Sequence, residues 1–375
     1  MKRRHFIRTL NGSLAALYSS SLGLLSCNNA SSMKEKPKIW VWLRPLKNYT
    51  PELYNRLFIK MKQSGVDAIL PEIYNSWGAH YQSSRHKVLD NWLETILPLA
   101  NGQNLEVHGW MWSMPNNQEE YVENHRDWYV VNALGEPAYQ KPAYVGYYKF
   151  MCPNHEDVRQ FVSANVAEIS AIEGLSGVHL DYIRFPDVIL PQALQPKYNI
   201  IQDREYPQYD YCYCDRCVEK FKNQSGINIR EVDDPVKNKD WKIFRQNSVT
   251  ELVNNYLVPE ARQAGRMITA AVFPNWENVR QKWFDWDLDA FLPMLYAKFY
   301  NGGDEWLKEN IEKEVASIRQ HQQINSGLFV NSYDQDTFKS AIRTSLDTGA
   351  NGIALFDASA LKDEHYSVLK KLYNK

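Results

Sequence analysis

The run Gly177-Val-His-Leu-Asp-Tyr-Ile-Arg-Phe185 sets His179 and Asp181 two residues apart. In an extended strand such residues share a face. With Val178 and Leu180 turned to covering helices, His179 and Asp181 face a barrel interior, and Asp181 stands near the strand's C-terminal end. An ionisable group there is costly unless it is paired or used. One use is half of a two-carboxyl acid–base or nucleophilic pair, the chemistry that hydrolyses glycosidic bonds. Glu72, near the end of an earlier strand-like run, and Glu277, in the loop after a later one, could supply the second catalytic carboxyl. Asp357, at the end of the last such run, is a third candidate partner or a substrate contact. The structural alternative gives Asp181 a loop to hold by hydrogen bonds and makes each of the others a salt-bridge or loop anchor.

Further side chains at strand ends and in the turns beyond them would line such a site. Arg44, Tyr74, His108 and Trp112 come from the first three strands, with His179, Tyr182 and Arg184 around Asp181. Asn275, Trp276 and Tyr296 follow later strands. Glu106 shares the alternating series of His108, Trp110 and Trp112 but lies too deep to react. A metal-dependent hydrolase would need carboxylate–histidine ligand patterns on the strand ends, and none is present.

A second group of reactive residues is sulfur. Cys212, Cys214 and Cys217 fall within six residues, and Cys152 stands in the preceding loop. Three clustered thiols and a fourth ligand, Cys152 or His155, would make a structural zinc site. Disulfides are the rival in an oxidising compartment, although bridges between cysteines so close in sequence are geometrically awkward; free or partly paired thiols are the third reading. Such a zinc would pin a loop and take no part in catalysis.

The elements that must position these residues alternate regularly. Strand-like runs at 38–44, 67–74, 105–112, 177–185, 267–273, 290–296, 327–331 and 352–357 are separated by helical spacing at 51–64, 91–101, 156–173, 240–264, 305–322 and 335–348. The link across 276–287 is the weak place and would hold only a short or irregular helix. Eight such units without hairpin signals read as α/β, a (β/α)₈ TIM barrel. The long loops at 113–155 and 186–239 follow strands three and four, on the face where barrel sites lie. An open doubly wound sheet would need a Gly-rich phosphate turn after strand one, which is missing.

The chain opens with a basic flank, Lys2-Arg3-Arg4, then an apolar stretch from Leu10 to Leu25 ending in Leu24-Leu25-Ser26-Cys27. Residues 1–26 read as a signal peptide of twin-arginine type, Cys27 as a lipidation site, 27–36 as a tether and 37–375 as one barrel domain. An exported bacterial lipoprotein follows, periplasmic or outer-membrane-attached, touching membrane only through its lipid. Removing residues 1–26 takes away four basic side chains and no acidic one, so net charge goes from −1 to −5. With no run of one sign, nucleic acid is a poor partner. Aromatics make up 13% of the chain, with 12 Trp and 23 Tyr, a composition that permits stacking on sugar faces.

The run from Gly177 to Pro186 resembles the signature strand of the glycosyl hydrolase-like family 10 proteins. Leu105-Glu-Val-His-Gly-Trp110, His125-Arg-Asp-Trp128 with Gly135, and Cys152-Pro-Asn-His-Glu-Asp-Val-Arg159 are similar in the same order. So are Trp241 with Phe244-Arg-Gln-Asn-Ser-Val249, and Phe291-Leu-Pro-Met-Leu-Tyr296. The resemblance implies a barrel glycosidase for cell-wall glycans or other polysaccharides, needing no catalytic cofactor, with a functional role for Asp181, Tyr182 and Arg184. Strand one departs from the family's Arg-Gly-Val-Trp type of opening, and no second carboxyl carries over from the resemblance. A barrel lacking that second carboxyl would instead be a lipid-anchored glycan-binding protein.

Overall fold

Among the described residues the barrel strands are short, mostly apolar and largely buried on both faces, the pattern of a parallel sheet covered by helices. The computed structural model describes residues 36–373; the export, lipidation and Cys27 expectations lie outside the described residues. Eight strands pair in parallel and in sequence order: β1 (Lys38–Leu43), β2 (Ala68–Asn75), β3 (Glu106–Trp112) and β4 (Gly177–Asp181). They continue as β5 (Met267–Val272), β6 (Ala290–Pro293), β7 (Gln323–Phe329) and β8 (Gly352–Phe356). Because β1 pairs with both β2 and β8, the sheet closes into a (β/α)₈ barrel. Among the described residues no helix is long and apolar enough to cross a membrane.

Two apolar sets divide along each strand. Val41, Ile69, Val107, Val178, Leu180 and Ile268 face outward to the helices. Trp40, Trp42, Trp110 and Trp112 fill the interior, opposite small residues such as Ala271, Ala290 and Ala354. Bulk from β1 and β3 is thus matched by absence of bulk across the barrel. Gly177 shows how tight the fit is. A Cβ there would stand 2.4 Å from His108 Nδ1 and 2.6 Å from the Met267 carbonyl.

The helices carry ordinary start and stop signals. In α1 (Pro51–Gln63), Thr50 caps the Leu53 N–H and Pro51 occupies the first turn, while Gly65 leaves the helix at φ 92°. Then follow α2 (Trp92–Gly102), α3 (Glu156–Ser170) and α4 (Asp215–Ser225). The single helix expected over 240–264 is two, α5 (Lys239–Leu252) and α6 (Val258–Gln263), joined by a π turn at Val253–Leu257. Pro259, without an N–H, cannot continue the regular ladder. The outer layer ends with α7 (Asp304–Ser317), α8 (Gln335–Asp347) and α9 (Asp363–Tyr373).

Other boundaries differ for local reasons. β4 stops at Asp181 instead of Phe185 because Tyr182 takes a left-handed φ of 51°. β7 begins at Gln323, earlier than Gly327, because its inward Asn325 and its Ser326 break the apolar run. The weak link after β5 holds two short 3₁₀ turns, Trp276–Val279 and Trp283–Asp285, in place of a barrel helix.

The long loops after β3 and β4 are knitted together. Asn132 bridges Tyr211, and the Tyr213 N–H donates to the Val131 carbonyl (2.7 Å). Beneath them Asp210 is fully buried between Arg245 (2.6 Å) and Arg280 (3.0 Å) and accepts from the Tyr213 hydroxyl. Burial pushes its carboxyl up, but the two guanidinium groups outweigh that and hold it below the usual range.

Because the obstacle beside Gly177 includes backbone, Gly177→Ala is expected to destabilise the protein by roughly 1–3 kcal/mol. Urea unfolding monitored by tryptophan fluorescence checks this. An unchanged midpoint would show that the barrel wall yields there at no cost.

Candidate active site at the barrel mouth

At the C-terminal end of β3, Trp110 and Trp112 point the same way yet serve opposite neighbours. The Trp110 indole N–H donates to Asp181 Oδ2 on β4 (3.0 Å), and that of Trp112 donates to Glu72 Oε2 on β2 (3.2 Å). Asp181 Oδ1 accepts from the Tyr182 backbone N–H (2.7 Å), a bond that the left-handed turn after the strand makes possible. Glu72 also accepts from Asn75 Nδ2 (3.2 Å) and lies 3.4 Å from Arg44 Nε. The two residues are 9% and 6% exposed, so each is enclosed but open to the mouth.

Their electrostatic settings differ. Burial pushes the Asp181 carboxyl up to about 6, against the Tyr182 N–H, the Arg184 charge and the Trp110 N–H, while the charge of Glu72 adds to the rise. Glu72 has a cation beside it, since the Arg44 guanidinium reaches it from above the Trp110 and Phe356 rings. Tyr296, from the segment after β6, completes this side. Its hydroxyl is buried without a hydrogen-bond partner among the described residues, and burial, then the charge of Asp181, push its pKa well up.

One wall is aromatic. Trp112 lies 4.5 Å from the Tyr182 ring, 5.7 Å from Tyr147 and 5.9 Å from Trp77. Trp77 is 46% exposed although it is large and apolar. Neither Trp77 nor Tyr147 was among the expected contacts. Their signals were an aromatic two residues beyond the Glu72 strand and the tyrosine-rich run Tyr144-Val-Gly-Tyr-Tyr148.

Several expected contacts have other duties. His179 is fully buried below Asp181, with Nε2 accepting from the Trp42 indole (3.0 Å) and Nδ1 facing Thr269 Oγ1 (2.9 Å). An indole can only donate, so the His179 proton sits on Nδ1. Burial, then His108, hold its pKa well below the usual value, and the ring is neutral. His108 is deeper still, beside Glu106 (3.2 Å) and edge-on to Trp40, so it is floor and not pocket lining. Glu106 is indeed remote from the mouth, paired with Lys38 at the strand's start.

Tyr74 is turned out of the barrel. The register slips between Glu72, which pairs with Trp110, and Tyr74, which pairs with the outward Met111. Its ring packs on His86 at 4.6 Å. Arg184 is buried with its guanidinium on Asp187 (3.0 Å) and the Phe185 carbonyl (2.8 Å), contacts that brace the loop. Asp357 caps the turn at Ala358–Ala360 by accepting from the Ser359 N–H (2.9 Å). Asn275 accepts from the Tyr300 hydroxyl (2.8 Å), and Trp276 packs edge-on to Phe284. Glu277 is exposed, and among the described residues no hydrogen bond or ion pair ties it to Asp181 or Glu72. The four cysteines gather within the two long loops.

No known family profile matches the chain, and no curated protein matches it. Solved structures do. The PgaB (BpsB) glycoside hydrolase domain from Bordetella bronchiseptica aligns with a TM-score of 0.65 at 10% identity, covering 90% of this chain and 98% of that one. A β-amylase catalytic domain from Paenibacillus polymyxa aligns at 0.61 and 10%, covering 89% and 97%. A β-galactosidase from the psychrophilic Marinomonas ef1 aligns at 0.63 and 10%, covering 90% of this chain and 59% of that one. At these identities the likeness establishes the barrel fold.

A carboxyl with a raised folded pKa contributes its full stability below the ordinary 3.8 and loses it as pH rises through about 6. That loss is roughly 3 kcal/mol for Asp181 by pH 8. Asp181→Asn escapes it, so the melting temperature of the variant relative to the wild type is expected to climb between pH 4 and pH 8. A difference that stays flat or falls would contradict the raised pKa.

Proposed function

We propose that the protein is a glycoside hydrolase for a polysaccharide or cell-wall glycan, with Asp181 as the acid and Glu72 as its partner carboxyl. The observation that carries the reading is the pair itself: two enclosed carboxyls on β2 and β4, each held by an indole of the strand between them. Different surroundings give two carboxyls different roles. Asp181, raised by burial, holds a proton to higher pH and delivers it to the leaving glycosidic oxygen. Glu72, with Arg44 beside it, either attacks the anomeric carbon or takes a proton from an attacking water. The C–O bond breaks with its electrons going to the protonated oxygen, and water finally supplies the hydroxyl at the anomeric carbon.

The surroundings suit a sugar. Trp112, Tyr182, Tyr147 and exposed Trp77 offer ring faces for the apolar sides of pyranoses, and the unpartnered Tyr296 hydroxyl offers a hydrogen bond. The aligned structures, a glycoside hydrolase domain, a β-amylase and a β-galactosidase, support the same reading. The proposal includes export and attachment through Cys27. Protein extracted from membranes is then expected to begin at an acylated Cys27, which intact-mass measurement reads directly; an unprocessed or unmodified N-terminus would remove that part.

The test of activity is release of reducing ends from a panel of polysaccharides and cell-wall glycans. Wild type is expected to cleave one class, and Asp181→Asn and Glu72→Gln to lose roughly 10²–10⁴-fold in kcat. Glu277→Gln should keep nearly all activity. As pH rises through about 6, kcat/KM should fall as Asp181 loses its proton. Glycan binding without cleavage by any form would make the barrel a receptor. Cleavage that survives Asp181→Asn would mean another residue is the acid.

A further inference from the structure

Four thiols from two loops meet at one point. Cys152 comes from the end of the loop after β3, Cys212 from the loop after β4, and Cys214 and Cys217 from the cap and first turn of α4. Cys152, Cys212 and Cys217 are fully buried, and Cys214 half-buried. The four Sγ atoms all lie within 4.8 Å of one another, with Cys152 at 3.4 Å from Cys217 and 3.9 Å from Cys214. A tetrahedron of sulfurs about 2.3 Å from a central zinc has edges of about 3.8 Å. A disulfide needs its sulfurs at about 2.05 Å, and no two of these are bonded.

Polar neighbours fit a thiolate centre. Asn154 Nδ2 donates to Cys217 Sγ (3.3 Å), and the Cys214 backbone N–H donates to Cys212 Sγ (3.5 Å). Asn154 is itself oriented through its carbonyl oxygen by Lys220 Nζ (3.1 Å) and Arg159 (3.5 Å), which bring positive charge towards a centre that four thiolates make negative. His155, the alternative fourth ligand, is occupied: Nε2 faces Asp127 (2.8 Å) and Nδ1 accepts from the Asp157 N–H.

The geometry points to a closed Cys152–Cys212–Cys214–Cys217 site for one structural zinc ion. With all four positions filled by protein it leaves none for substrate, so it serves as a latch. It ties the loop that carries Tyr147 to the loop that carries Arg184 and Asp187, and so holds one wall of the barrel mouth from behind. The inference does not rest on the glycosidase reading.

Metal analysis and thiol counting on the full chain test it, without reference to activity. One zinc per chain is expected, with the four thiols resisting alkylation until a chelator or denaturant is added. Cobalt(II) in place of zinc should show thiolate-to-cobalt charge-transfer absorption. Asn154→Ala, which leaves every ligand in place, should weaken zinc affinity by roughly 10–100-fold. Cys152→Ser should weaken it further and lower the melting temperature. Two disulfides found by mass in the protein as isolated, or reduced protein that binds no added zinc, would overturn the assignment.

Discussion

A carboxylate at the top of a buried strand must be solvated by protein, and two indole N–H groups on β3 carry that burden. Side chains two apart on a strand share a face, so Trp110 and Trp112 can lean to opposite sides and bond Asp181 and Glu72 respectively. Much else in the barrel accommodates this. Four interior tryptophans require small partners, which Ala271, Ala290, Ala354 and Gly177 provide. The floor must be polar without being charged, and neutral His179 meets that need by accepting from Trp42 and facing Thr269.

Asymmetry between the two carboxyls follows from what stands beside each. Glu72 has Arg44, Asn75 and Trp112 around it. Among the described residues the donors to Asp181 are neutral, and Arg184, whose charge acts on it, is engaged with Asp187. Holding Asp181 in that state costs stability at neutral pH, a common feature of sites built for proton transfer. Tyr182 adds its left-handed φ to that cost, and in return its N–H is turned onto Asp181 while its ring faces Trp112.

Much of the architecture was legible because strands and helices have different periods. Eight strands, the irregular 276–287 link, the inward series on β3 and β4, and the placing of Asp181 all follow from alternation and spacing. Alternation also misled. It placed His108 and His179 inward, where they are, but depth along a strand decides whether an inward residue lines a pocket or a floor, and both are floor. Tyr74 was expected to line the site, and the register slip after Glu72 turns it out of the barrel. Trp77 and Tyr147 lie in loops, where no period operates. The crossed indole bonds had no sequence signal beyond two tryptophans two residues apart, since reach across strands depends on barrel closure. In the thiol cluster, three sulfurs were legible from spacing, whereas Cys152 joins them only through the tertiary fold.

The central claim is that Asp181 and Glu72 act on one glycosidic bond. A crystal structure of Asp181→Asn with an uncleaved oligosaccharide tests it most directly. The account predicts a glycosidic oxygen about 3 Å from the residue 181 side chain, the adjoining anomeric carbon facing Glu72, and a sugar ring lying on Trp112. A saccharide bound in the mouth with neither carboxyl position near a glycosidic bond would contradict it.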